Sequence, residues 1–131
     1  MKNSKALKGI LILLGLLLTV LGSWRLMDPI AFFENSGLIL RNDVGLLNEA
    51  RATGGVVVGF GLLILAGAFN QKLAYTSTIA SVVVFLGFGT GRLIGFVLDG
   101  NPGEALAEGI LFEFVLGLVA VFALWKYREK V

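Results

Sequence analysis

Cysteine and histidine are both missing from the chain. Without cysteine there is no disulfide, thiol nucleophile, thiolate-bound iron–sulfur cluster or lipoprotein anchor, and the redox compartment leaves no mark on the sequence. Without histidine there is no imidazole-ligated haem, no histidine-containing zinc site and no serine–histidine nucleophile. Charge is scarce too: 15% of residues are charged, 56% are hydrophobic and the mean hydropathy is +0.88. An ordinary soluble domain carries about 25% charged residues, so this composition points to lipid surroundings. No cofactor and no metal is expected, since carboxylates alone remain as ligands, and no nucleic-acid partner is expected either.

What the chain does have is four long apolar runs. In 131 residues, four spans of about 20 residues each use most of the length, so residues 1–131 read as a single membrane domain. The spans fall at 7–27, 51–69, 73–98 and 104–125. Lys2, Lys5 and Lys8 ahead of the first run imitate a secretory signal. Gly22, Ser23 and Trp24 offer no clear small-x-small cleavage site, however, and three more runs follow, so this run reads as span one. Asn70, Gln71 and Lys72 form a tight turn that makes the second and third spans antiparallel neighbours. The expected fold is all-α, a four-transmembrane-helix antiparallel bundle.

Flanking charge gives an orientation, because lysine and arginine in short segments next to a span are retained on the cytoplasmic side. Lys2, Lys5, Lys8, Lys72, Lys126, Arg128 and Lys130 mark one side, while Asp28, Glu34, Asp43, Glu49 and Asp99 outweigh Arg41 on the other. Both termini are therefore expected in the cytoplasm, with the protein integral to the cytoplasmic (inner) membrane. In the outer loop 28–50, Asp28 and Pro29 supply a helix cap and a first-turn proline ahead of Ile30, Phe32 and Phe33, which predicts a short interfacial helix. Gly37 to Leu40, then Val44, Leu46 and Leu47, are too apolar for a freely solvated loop and are expected against the bundle mouth or the headgroup layer. Trp125 and Tyr127 mark the cytoplasmic interface and Trp24 the outer one.

Glycines recur every fourth residue, as Gly55 and Gly59 in span two and as Gly87, Gly91 and Gly95 in span three. Span four repeats the device with Ala105, Gly109, Gly117 and Val121, and Glu113 sits in the middle of that stripe. Small residues at this spacing let helix backbones approach closely in lipid, so these are the expected packing seams. Charges lie along the same stripes: Arg25 follows Gly22 by three, Arg51 precedes Gly55 by four, and Arg92 adjoins Gly91 between Phe88 and Phe96. At 1.5 Å per residue, Arg92 lies roughly 9 Å, Glu108 roughly 6 Å and Glu113 roughly 14 Å below the outer ends of their helices. Arg92 is thus placed to bridge the two glutamates.

Ionisable groups in hydrocarbon cost a few kcal/mol and normally turn inward and pair. Arg25, Arg51 and Arg92 facing Glu49, Asp99, Glu108 and Glu113 nearly balance, as in a structural salt-bridge knot. If Glu49 and Asp99 stay in the headgroup layer, three positive charges face two negative ones, leaving one guanidinium fork for a phosphate or carboxylate. Other motifs read more plainly. The glycines Gly87, Gly89 and Gly91 follow no strand, which argues against dinucleotide binding. Glu104 and Glu108 sit one turn apart and could hold a cation, but acidic residues at a helix N-terminus more often complement its dipole. Glu113 as a proton carrier lacks a second intramembrane acid to continue a path, because below Gly117 the last span is apolar until Lys126.

The stretch Asn48-Glu49-Ala50-Arg51-Ala52-Thr53-Gly54-Gly55, and the stretch Gly91-Arg92-Leu93-Ile94-Gly95 followed by Asp99-Gly100-Asn101-Pro102, resemble two hallmark segments of a known family. It is a family of small bacterial four-helix membrane proteins described only as a domain of unknown function. The family's last-helix glutamate resembles Glu108 or Glu113, and Thr53 stands where the pattern has an aromatic residue. The resemblance implies a four-helix inner-membrane fold with Glu49, Arg51, Arg92, Asp99 and Pro102 as signature positions, and no established activity, substrate or cofactor.

Three functions fit these residues. The first is a non-catalytic membrane protein whose arginine-lined outer mouth binds an anionic amphipathic membrane lipid. The second is an accessory or scaffold subunit docking on a membrane-protein partner, or on a second copy of itself, through glycine stripes. The third is a membrane enzyme on a lipid-linked substrate, with Glu113 or Glu108 as general acid or base and Arg92 as electrostatic stabiliser; its carboxyl would need reach and tuning that no sequence feature supplies.

Overall fold

A computed structural model describes residues 1–129; Lys130, one of the basic residues used for orientation, lies outside them. The described chain is all-α, with α1 at Lys5–Met27, α2 at Pro29–Asn35, α3 at Val44–Phe69, α4 at Ala74–Asp99 and α5 at Glu104–Tyr127. Polar side chains set the boundaries. The Ser4 hydroxyl accepts from the amides of Ala6 and Leu7 to start α1, and Asp28 accepts from Ala31 N–H to start α2 with Pro29 in its first turn. The Asn70 side chain caps a 3₁₀ turn, Gln71–Leu73, between α3 and α4. Gly100 and Gly103 adopt positive φ, +96° and +111°, in the turn between α4 and α5, a conformation that favours glycine.

The second long helix begins seven residues before the expected start at Arg51. Asp43 accepts hydrogen bonds from Gly45 and Leu46 N–H at 2.8 and 3.4 Å, so Val44, Leu46 and Leu47 form the first turns of α3 instead of lying as loop. In the linker before them Leu38 and Leu40 are half-buried, whereas Ile39 between them is 95% accessible.

All four long helices are long and apolar enough to cross a membrane. Their outward faces carry Leu13, Val20, Leu62, Val83, Leu111 and Leu118, each largely exposed, and helices that are apolar all round belong in lipid or in a large core. The buried side is thin. Leu7, Leu11, Leu14, Leu18, Val57, Ile64, Val84 and Phe85 form most of it, and α5 buries only Gly117, Ala120 and Ala123.

Glycine sets the closest approaches, at positions other than most of those expected. A Cβ on Gly15 would lie 2.9 Å from Leu65 N, one on Gly22 2.8 Å from Val58 N, one on Gly54 2.8 Å from Leu26 N and one on Gly61 2.6 Å from Thr19 N. Along this α1–α3 seam, numbers rise on one helix as they fall on the other. By contrast, Gly55, Gly59, Gly87, Gly91 and Gly95 have open space where a Cβ would stand, and Gly109 meets only Glu113 of its own helix. Of the expected seam glycines only Gly117 is closely packed, under Leu86. The reason is rotational: α3 buries Ala50, Gly54, Val57, Gly61 and Ile64; Gly55 lies one residue and Gly59 two residues from that stripe, and each residue turns a helix by about 100°.

Elsewhere α4 holds α3 through Ser77, whose hydroxyl donates to Leu63 O at 2.7 Å and whose side chain covers Gly67. Buried Thr78 and Ser81 donate to Ala74 O and Ser77 O within their own helix, so no hydroxyl is left orphaned there. At the end of the bundle that carries the 3₁₀ turn, Lys2 N–H donates to Tyr127 O at 2.7 Å and the Gln71 amide donates to Met1 O. The basic segments around Lys2, Lys72 and Lys126 therefore gather at one end.

Candidate functional site

At the opposite end the chain directs three charged side chains into one cavity of about 110 Å³, lined by Arg25 of α1, Arg92 of α4 and Glu113 of α5 within apolar walls. Each arrives by helical periodicity. Arg25 follows Leu18 by seven and Leu21 by four, and Arg92 follows Phe85 by seven and Phe88 by four, all of them lining residues; such intervals keep side chains on one face.

Arg92 Nε donates to Glu113 Oε1 at 2.6 Å. The side chains are 34% and 14% exposed, so the pair belongs between a screened surface bridge and a sealed one. Its bond is single: Oε2 of Glu113 is buried without a hydrogen-bond partner. Arg25 Nε donates to the Ala50 carbonyl at 3.1 Å, and its guanidinium lies 4.7 Å from the Phe33 ring centre and 5.8 Å from that of Phe32. Phe32 packs edge-on against both Trp24 and Phe33 at 5.4 Å, so α2 folds back as an aromatic cover beside Arg25. Among the described residues Arg25 has no carboxylate partner, and neither guanidinium makes a further hydrogen bond through its Nη atoms.

The rest of the expected cluster does not assemble. Arg51 is exposed on α3 and its Nη1 donates to Leu26 O and Met27 O at 2.6 and 3.2 Å, closing the C-terminus of α1, where unpaired carbonyls and the helix dipole favour a cation. It stands three residues before Gly54, on the face that meets α1. Glu49, Asp99 and Glu108 are exposed and absent from the cavity lining. The bridge expected from Arg92 to both glutamates reaches Glu113 alone, because five residues separate Glu108 from Glu113 and rotate them about 140° apart on α5. Glu108 instead borders a shallow external groove with Leu111 and Val115.

Phe32, Phe85 and Phe112, outside the expected cluster, also line the cavity, and Ala50 O anchors Arg25. Phe85 was findable from its spacing to Arg92. Phe32 was not, since its place depends on α2 folding back over the bundle.

Four long apolar helices around an internal arginine–glutamate pair define a small integral membrane protein of the helical class. The chain belongs to the family described as Domain of unknown function (DUF4345), whose family model matches residues 6–124. No curated protein and no solved structure matches it.

Proposed function

We propose that this is a non-catalytic integral membrane protein that binds the anionic headgroup of an amphipathic lipid between Arg25 and Arg92. The reading takes the molecule as an antiparallel four-span bundle of a bacterial inner membrane. Its termini are cytoplasmic, and α2 lies in the outer headgroup layer. Lysines gathered at one end support that orientation, as does the Trp24, Phe32 and Phe33 cluster at the other.

The observation that carries the binding proposal is Arg25. It is a guanidinium without a carboxylate partner among the described residues, on an apolar cavity that already holds a paired arginine, and such a group favours an anion with acceptor oxygens. A volume of about 110 Å³ is well below the ~300–1,000 Å³ of pockets that enclose a drug-sized ligand. Only a headgroup fits, and the acyl chains lie outside along the helices. Gentle purification followed by mass spectrometry of bound lipid tests this. Retained anionic lipid, lost on Arg25→Ala and on Arg92→Ala, is expected; no anionic lipid, or retention indifferent to both substitutions, refutes it.

A second reading, an accessory subunit, draws on the open glycines. Gly55 and Gly59 on α3 and Gly87, Gly91 and Gly95 on α4 offer bare backbone to the outside, where a partner helix can approach closely. Cross-linking in native membranes tests it, and migration alone or only as self-oligomers excludes a partner complex.

A further inference from the structure

Both cavity arginines are anchored through Nε, one to Ala50 O and one to Glu113 Oε1, which leaves the Nη edge of each without a protein acceptor. Two such edges offer four N–H donors to a single anion. The two terminal oxygens of a phosphodiester carry enough lone pairs to accept from both edges. The lining holds two positive charges and one negative charge, a net of one. Arg51 is committed to α1 carbonyls and Glu49, Asp99 and Glu108 are not lining residues, so no further formal charge stands on the cavity wall. Half of the Glu113 carboxylate has no donor, so its charge is incompletely offset.

From this juxtaposition we infer that the cavity selects by headgroup charge, taking a phosphodiester monoanion over a phosphomonoester dianion, with Glu113 as the specificity-determining residue. The inference rests on the lipid-binding reading above. One negative charge neutralises the site. A second meets no third cation and faces the Glu113 carboxylate in a half-buried place where like charges interact more strongly than in water. A zwitterionic headgroup brings an ammonium and leaves the excess positive charge unmatched.

The test offers the purified full chain equal amounts of phosphatidylglycerol, phosphatidate and phosphatidylcholine in mixed micelles and measures retained lipid by native mass spectrometry. At about pH 8.5 a phosphomonoester, with a second pKa near 6, carries two charges. Wild type is expected to retain phosphatidylglycerol over phosphatidate by about tenfold or more, the scale set by one unit charge at close range. Glu113→Gln is expected to level or reverse that ratio. Tail-less glycerophosphoglycerol is expected not to displace the lipid; displacement at equal concentration assigns the site to a soluble phosphodiester and overturns the lipid source. Wild type holding phosphatidate as well as phosphatidylglycerol overturns the charge preference while leaving lipid binding intact, and this comparison decides the matter even if the Gln variant does not fold. A folded Glu113→Gln protein with unchanged preference also overturns it. Loss of all lipid from wild type is a failure of the underlying reading.

Discussion

Replacing Gly61 by alanine tests the α1–α3 seam, and Gly59→Ala, two residues away on the same helix, is its control. A Cβ at residue 61 would stand 2.6 Å from Thr19 N and 3.0 Å from Gly15 O and would also strike the Thr19 hydroxyl. These atoms cannot move aside: two are α1 backbone, and the hydroxyl is tied to Gly15 O by a 2.7 Å hydrogen bond. Restoring a normal carbon contact near 3.5 Å requires the helices to part by about 1 Å, a gap that forfeits a quarter to a half of each dispersion contact. That loss extends to Gly15, Gly22 and Gly54, so the cost is roughly 2–3 kcal/mol, the upper part of the range for overpacking. At residue 59 a Cβ meets nothing within 4 Å. Both substitutions carry the same gain in helix propensity, about 1 kcal/mol, so their difference isolates the clash. Denaturant or thermal unfolding in mild detergent, followed by circular dichroism and size exclusion, is the assay. Equal midpoints for the two variants would falsify the close seam.

Arg51→Ala is expected to raise hydrogen exchange at the end of α1 and to lower stability by less than about 1 kcal/mol, with lipid retention unchanged; lost retention would return Arg51 to the site. Asp43→Ala removes the α3 cap at a cost of about 1 kcal/mol, seen as faster exchange at the Gly45 and Leu46 amides, and unaltered exchange there would show that the helix starts elsewhere. Glu113→Ala strands Arg92 and is expected to cost roughly 1–3 kcal/mol, below the ~3–5 kcal/mol of a fully buried pair because Arg92 keeps 34% exposure. The double variant Arg92→Met with Glu113→Leu is expected to recover most of that stability, and an additive loss would contradict the pairing.

The four long helices were legible because nearly continuous hydrophobicity needs no phase to be recognised. Inward placement of Arg25, Arg92 and Glu113 was legible as well, since intramembrane charge has few other stable places. Rotation was the information that periodic spacing alone did not supply. Gly54 and Gly55 are adjacent and chemically identical, yet one lies against Leu26 N and the other faces open space. The same ambiguity assigned Arg51 to the cluster, though its helix face directs it to the carbonyls of Leu26 and Met27. The start of α3 was hidden for a different reason: Asp43 is a cap ahead of an apolar turn, but Glu49 and Arg51 interrupt the apolar run, so Val44, Leu46 and Leu47 read as an apolar loop segment too short to span.

The two sides of the cavity differ in mechanical character. α1 touches α3 mainly backbone to backbone, whereas the closest α4–α5 contacts are side chains seated on glycine, Phe114 over Gly89 and Leu86 over Gly117. A backbone contact has one geometry; a side chain on a smooth socket has several rotamers of similar energy. A roll of α5, which carries Glu113, would therefore meet less resistance than a shift of α1, which carries Arg25. Roll of α5 about those two sockets alters the separation of the charged groups without disturbing the tightest interface in the molecule.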